Sequence, residues 1–107
     1  MNTFDDREKG FENKFALDQN LEFKAAARRN KLLGLWAAGL MGKSEEQAQD
    51  YAKEVIVADF EEAGDDDVFR KLRADLDAAN VEQSDHQIRR QMDELLEKAR
   101  QQIHTEN

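Results

Sequence analysis

The chain has 107 residues, enough for one domain with one modest core. It carries 24 acidic and 16 basic side chains, a net charge of −8, which argues against general nucleic-acid binding because phosphate contacts would have to overcome the protein's own field. Cysteine and proline are absent, ruling out disulfides and thiolate chemistry, and Ala, Leu, Glu, Lys, Gln and Arg dominate, so the expected fold class is all-α.

Residues 1–19 open the chain as a segment distinct from the rest. Thr3 and Asp6 form a T-x-x-D helix-start signal, and Phe4, Phe11 and Phe15 fall on one stripe of a helical wheel, since offsets of 7 and 11 residues return to within about 20° of the start. Eight of the first twenty residues are charged. Gly10 costs about 1 kcal/mol relative to alanine in a helix interior. Burying three phenylalanines would return roughly 2 to 3 kcal/mol each, against about 1 to 2 kcal/mol for every backbone fixed. The free segment is therefore expected to be flexible and to become helical on binding, its ridge seated in a groove of another molecule.

From about residue 20 the apolar spacing is continuous. Leu21, Ala25, Leu32, Trp36 and Leu40 share a face, widened by Leu33, Leu35, Ala37 and Ala38, which predicts a central helix over about 20–42 that stops at Gly42. Ser44 with Gln47 reads as a capping box opening a second helix over about 45–63, with Ala48, Ala52, Val55 and Ile56 inward and Gly64 as terminator. Asp65, Asp66 and Asp67 should cap a third, over about 66–79, carrying Val68, Phe69, Leu72 and Leu76 and ending near Asn80. Ser84 or Asp85 opens a fourth, over about 85–104, with Ile88, Met92, Leu95, Ala99 and Ile103 as its core stripe. Four helices on short links make a bundle, 20–107, preceded by the flexible segment.

Chemistry-bearing motifs are weak. Gly42-Lys43-Ser44 ends like a phosphate-binding loop, but the required earlier glycine is Ala37 and a helix precedes it where a strand is needed. His86 and His104 share a face yet stand about 27 Å apart, too far to ligate one metal. Asp59, Glu61, Glu62, Asp65, Asp66 and Asp67 lack the alternate spacing of a calcium loop. No nucleophile, base and orienting group occur together, so neither enzyme activity nor a metal or cofactor is expected. Lys24, Arg28 and Lys31 form a solvated basic face. Arg29 falls on the apolar side, as does Asp59 on the second helix; folding back about Gly42 and Lys43 brings them together, predicting a buried Arg29–Asp59 ion pair that sets register. Trp36 is expected in the core.

The opening Met-Asn-Thr-Phe-Asp-Asp lacks the basic start and apolar stretch of a signal peptide, and the longest apolar run, Leu32 to Met41, is ten residues, short of the roughly 18 that span a bilayer. A soluble cytoplasmic protein with no membrane insertion is expected.

Phe4-Asp-Asp-Arg-Glu8, Phe11-Glu-Asn-Lys-Phe15-Ala, Phe23-Lys, Arg28-Arg-Asn-Lys-Leu-Leu-Gly-Leu-Trp-Ala-Ala38 and Tyr51-Ala-Lys-Glu-Val55 resemble one family, as do Asp59-Phe-Glu-Glu-Ala-Gly64, Asp67-Val-Phe-Arg-Lys-Leu72 and Ala74-Asp-Leu-Asp77. It is the zeta subunit family, inhibitors of the F-type ATP synthase in a group of bacteria. The resemblance is strongest from residue 4 to about 77. It implies a four-helix protein whose amino-terminal segment enters a catalytic α/β interface of the synthase head beside the central rotor and blocks rotation in the hydrolysing direction; the free protein is expected to be a monomer. The inhibitory residues it implies are Phe4, Asp5, Asp6, Arg7, Glu8, Lys9, Phe11, Glu12, Lys14 and Phe15, with the remainder as a docking domain. No histidine lies in that segment, so protonation there is not expected to gate inhibition. From the residues alone, a helical adaptor using the Phe4/Phe11/Phe15 ridge on an unrelated protein stays open, as does, more weakly, a nucleotide-responsive regulator built on Lys43.

Overall fold

Four runs of strong helix formers become four α-helices: α1 (Thr3–Leu40), α2 (Glu45–Ala58), α3 (Asp66–Ala78) and α4 (Asp85–Glu106). The computed structural model describes residues 3–60 and 65–106, with side chains described for 20–60 and 65–106. Within them the protein is an all-α four-helix fold.

The turns follow from local chemistry. Gly42 takes φ 73°, the left-handed conformation that a glycine adopts without a Cβ penalty. The Gly42 N–H donates to the Gly39 carbonyl (3.2 Å) and the Lys43 N–H to the Ala38 carbonyl (3.0 Å), which together satisfy two carbonyls of the last turn of α1. The same closure recurs after α3 with an asparagine. Asn80 sits at φ 59°, its N–H on the Asp77 carbonyl and the Val81 N–H on the Leu76 carbonyl, and the Val81 side chain then packs against the core.

Helix starts are equally explicit. The Ser44 hydroxyl accepts from the Gln47 N–H while the Gln47 side chain accepts from the Ser44 N–H, and Ser84 with Gln87 repeats that reciprocal pair ahead of α4. Asp65 stands at the N-cap of α3 but makes no side-chain capping bond, because its carboxylate is taken by Arg29. Asp66 and Asp67 supply the negative charge of the first turn.

α2 stops at Ala58, five residues before the expected Ala63. Three successive β-branched residues, Val55, Ile56 and Val57, weaken its last turn. Beyond it the Phe60 N–H turns back to the Val57 carbonyl at 3.0 Å, and the Asp59 carboxylate accepts from the Asn30 amide of α1, which fixes where the chain leaves the helix. Gly64, expected as terminator, lies outside the described residues, as do Glu61 and Glu62.

α1 is the central element. Its Leu33, Ala37 and Ala38 meet Tyr51 and Val55 of α2, Val68, Leu72 and Leu76 of α3, and Ile88, Met92 and Leu95 of α4 in one apolar core. A second, smaller cluster joins Ala25 to Ala99 and Ile103, flanked by Leu21, Leu32 and Leu96. The expected stripe of α4 is buried at all five positions. Trp36 packs on the main core but stays partly exposed, and Leu40, expected on the buried face, is exposed because α1 ends there. α1 and α2 approach closely at Gly34, where an added Cβ would stand 2.6 Å from the Ala52 Cα.

Candidate functional site

α1 spans the boundary expected near residue 19 without interruption. The side chains of Phe4, Asp5, Asp6, Arg7, Glu8, Lys9, Phe11, Glu12, Lys14 and Phe15 lie outside the described residues. What is described is the part of α1 that follows them. Among the described side chains Leu21 and Ala25 of α1 pack against α4, and two charged ties join the same stretch: Arg100 donates to both carboxylate oxygens of Glu22 (2.8 and 3.0 Å), and Arg28 to both oxygens of Glu106 (2.8 and 3.0 Å) and to Gln102 (2.9 Å). Arg28, read as part of a solvated basic face, is thus an α1–α4 clamp. Its guanidinium holds the Glu106 carboxyl below the usual range, and each arginine is itself raised by its carboxylate.

A buried polar network locks α1 to the α2–α3 connection. Arg29 and Asn30 are 2% and 1% exposed. The Arg29 Nε donates to Asn30 Oδ1 at 2.7 Å, the Asn30 Nδ2 to Asp59 Oδ2 at 3.0 Å, and the Arg29 Nη2 to Asp65 Oδ1 at 2.7 Å. The expected Arg29–Asp59 ion pair is replaced by this chain: Asp59 is reached through Asn30, and the carboxylate on Arg29 is Asp65. The hairpin register was read within a residue, but arginine's long stem carries its charge past Asp59 to the next element. The bond from Arg29 holds the Asp65 carboxyl below its ordinary pKa, against a smaller opposing effect of burial. Sequence reasoning missed Asn30, whose only signal was an amide on the apolar side of the helix.

The other two described acids of the run are paired as well. Asp66 faces Arg89 at 3.5 Å, and Asp67 pairs with Arg70 through Oδ1. The buried Asp67 Oδ2 has no hydrogen-bond partner among the described residues; it stands in the first turn of α3, where the helix dipole favours negative charge. No group of three or more His, Cys, Asp or Glu among the described residues could hold a metal ion. His86 and His104 are both exposed on α4. Gly42-Lys43-Ser44 is a helix stop joined to a helix start.

Two further arrangements were not anticipated. The Tyr51 hydroxyl donates to Asp75 Oδ2 at 2.7 Å, and Lys71 and Lys43 stand 5.1 and 5.8 Å from the ring centroid, so burial and the adjacent carboxylate push the phenol far above its usual pKa. On the other side, Phe23 of α1 and Phe60 beyond α2 pair at 6.4 Å between centroids while remaining exposed.

No helix among the described residues is long and apolar enough to cross a membrane. The fold is that of a small helical bundle built around one long first helix. The family model of ATPase inhibitor subunit zeta matches residues 1–102, and the chain belongs to that family. Among solved structures, a solution NMR structure is similar at 46% identity and a TM-score of 0.72, covering 81% of this chain and 99% of the other. The comparison with curated proteins finds no significant match.

Proposed function

We propose that the protein inhibits an F-type ATP synthase by inserting residues 1–19 as a helix into a catalytic α/β interface of the head, next to the rotor, where Phe4, Phe11 and Phe15 fill apolar gaps and Asp5, Asp6, Arg7, Glu8, Lys9, Glu12 and Lys14 pair with interface charges. The observation that carries this reading is membership of an inhibitor-subunit family whose match includes the amino-terminal segment itself. Two features support it. The three rings share one face at helical spacing, and α1 from Leu21 buries apolar side chains against α2, α3 and α4 in two clusters that can serve as a docking body.

In this mechanism the bundle is a stop: the segment enters until the α1–α4 end of the bundle meets the head. The test is a synthetic peptide of residues 1–19 added to purified synthase heads beside the full-length protein. Both should suppress ATP hydrolysis, the peptide more weakly. Full-length protein and peptide without effect on hydrolysis would overturn the reading in favour of an adaptor that uses the same ridge elsewhere.

A further inference from the structure

We propose that Phe23, Phe60 and Val57 form a second contact with the synthase head, an apolar foot that docks on the rim of the crevice receiving residues 1–19; this rests on the insertion just proposed. The three side chains are 63%, 67% and 60% exposed, and they belong to neither apolar core. Phe23 lies on the side of α1 that faces α2, in helical line with Asn30 and Gly34, which touch Asp59 and Ala52. It is exposed where α2 stops at Ala58, and among the described residues the Phe60 ring stands against it. Exposed aromatic rings clustered on a small, strongly charged protein mark a contact surface.

Continuity selects the occupant. Phe23 and the inserted ridge are on one helix, and eight residues separate Phe23 from Phe15, about 12 Å at 1.5 Å per residue. A partner that encloses Phe15 therefore has its outer edge within reach of Phe23. The fixed Arg29–Asn30–Asp59–Asp65 network holds the α2 exit against α1, so Phe60 and Val57 are presented with Phe23 as one unit. The surface that fits is an apolar shelf at the crevice mouth.

The test replaces both rings, Phe23→Ser with Phe60→Ser, in the full-length chain and measures three things: release from synthase heads, thermal melting of the free protein, and its sedimentation. Release of the variant should be about tenfold faster or more than that of the unaltered chain, with melting unchanged. Equal release rates would overturn the foot while leaving insertion standing. A variant that melts early would show the rings to be structural, and an unaltered chain that sediments as a dimer while the variant is a monomer would assign the patch to self-association; either outcome overturns the proposal. If the unaltered chain does not bind heads at all, insertion and foot fall together.

Discussion

Gly34 shows how a single absent methyl sets the distance between two helices. It lies inside α1, where glycine is otherwise about 1 kcal/mol worse than alanine, yet a Cβ there would sit 2.6 Å from the Ala52 Cα, a backbone atom that cannot swing aside. Gly39, on the same helix, has nothing within 4 Å of the corresponding point. Gly34→Ala should therefore destabilise the protein by about 1 to 3 kcal/mol through overpacking, whereas Gly39→Ala should be neutral or stabilise it by up to about 1 kcal/mol. Urea unfolding of the two variants checks this, and equal effects would refute the close crossing. The contrast was not legible in the sequence, where both glycines interrupt the same apolar run. Only the position of Ala52 on the facing helix separates them. Arg29 teaches the same lesson for charge: its place on the apolar side was readable, but its partner depended on side-chain reach, and Asp65 lies one element beyond the Asp59 that register alone selected.

The elements themselves were largely legible because their ends carry explicit chemistry. Gly42, Ser44 with Gln47, Asn80 and Ser84 each bond as their residue type dictates, and the period of α4 follows from its sequence alone. The end of α2 was not, since no glycine or proline marks Ala58; a run of β-branched residues and a side-chain bond to Asn30 do the work instead. How α2 and α3 are joined was also hidden, because the Tyr51–Asp75 bond links residues 24 apart in sequence. That bond has a pH signature. The folded-state pKa of Tyr51 is raised above the unfolded value of about 10. Folded protein then holds the phenolic proton more tightly than unfolded chain, so the stability this contributes is complete below pH 10 and declines as pH rises beyond it. Tyr51 is the only tyrosine. Phenolate absorbance should accordingly appear together with loss of helicity and not ahead of it, and Tyr51→Phe should flatten the alkaline loss of stability. Ionisation of the tyrosine near pH 10 in a still-helical protein would contradict the buried bond.

At the scale of the molecule, α1 is the helix on which the other three assemble. Between Leu21 and Ala38 it packs against α2, α3 and α4, and the last turns of α4 meet it at Leu21 and Glu22 through Ile103 and Arg100. Helix formation is cooperative, so removing one end of a helix need not disturb a portion held by tertiary contacts. Deleting residues 1–17 leaves Asp18 near the new helix start, where its negative charge suits the positive end of the dipole. We expect the truncated protein to keep the melting temperature and denaturant slope of the parent, and to lose inhibition of ATP hydrolysis. Calorimetry and urea titration of the truncated chain decide between two uses of the phenylalanine ridge. An unchanged melt assigns it to a partner, whereas a melt lowered by several degrees, with a smaller slope, would mean that Phe4, Phe11 and Phe15 belong to the protein's own core.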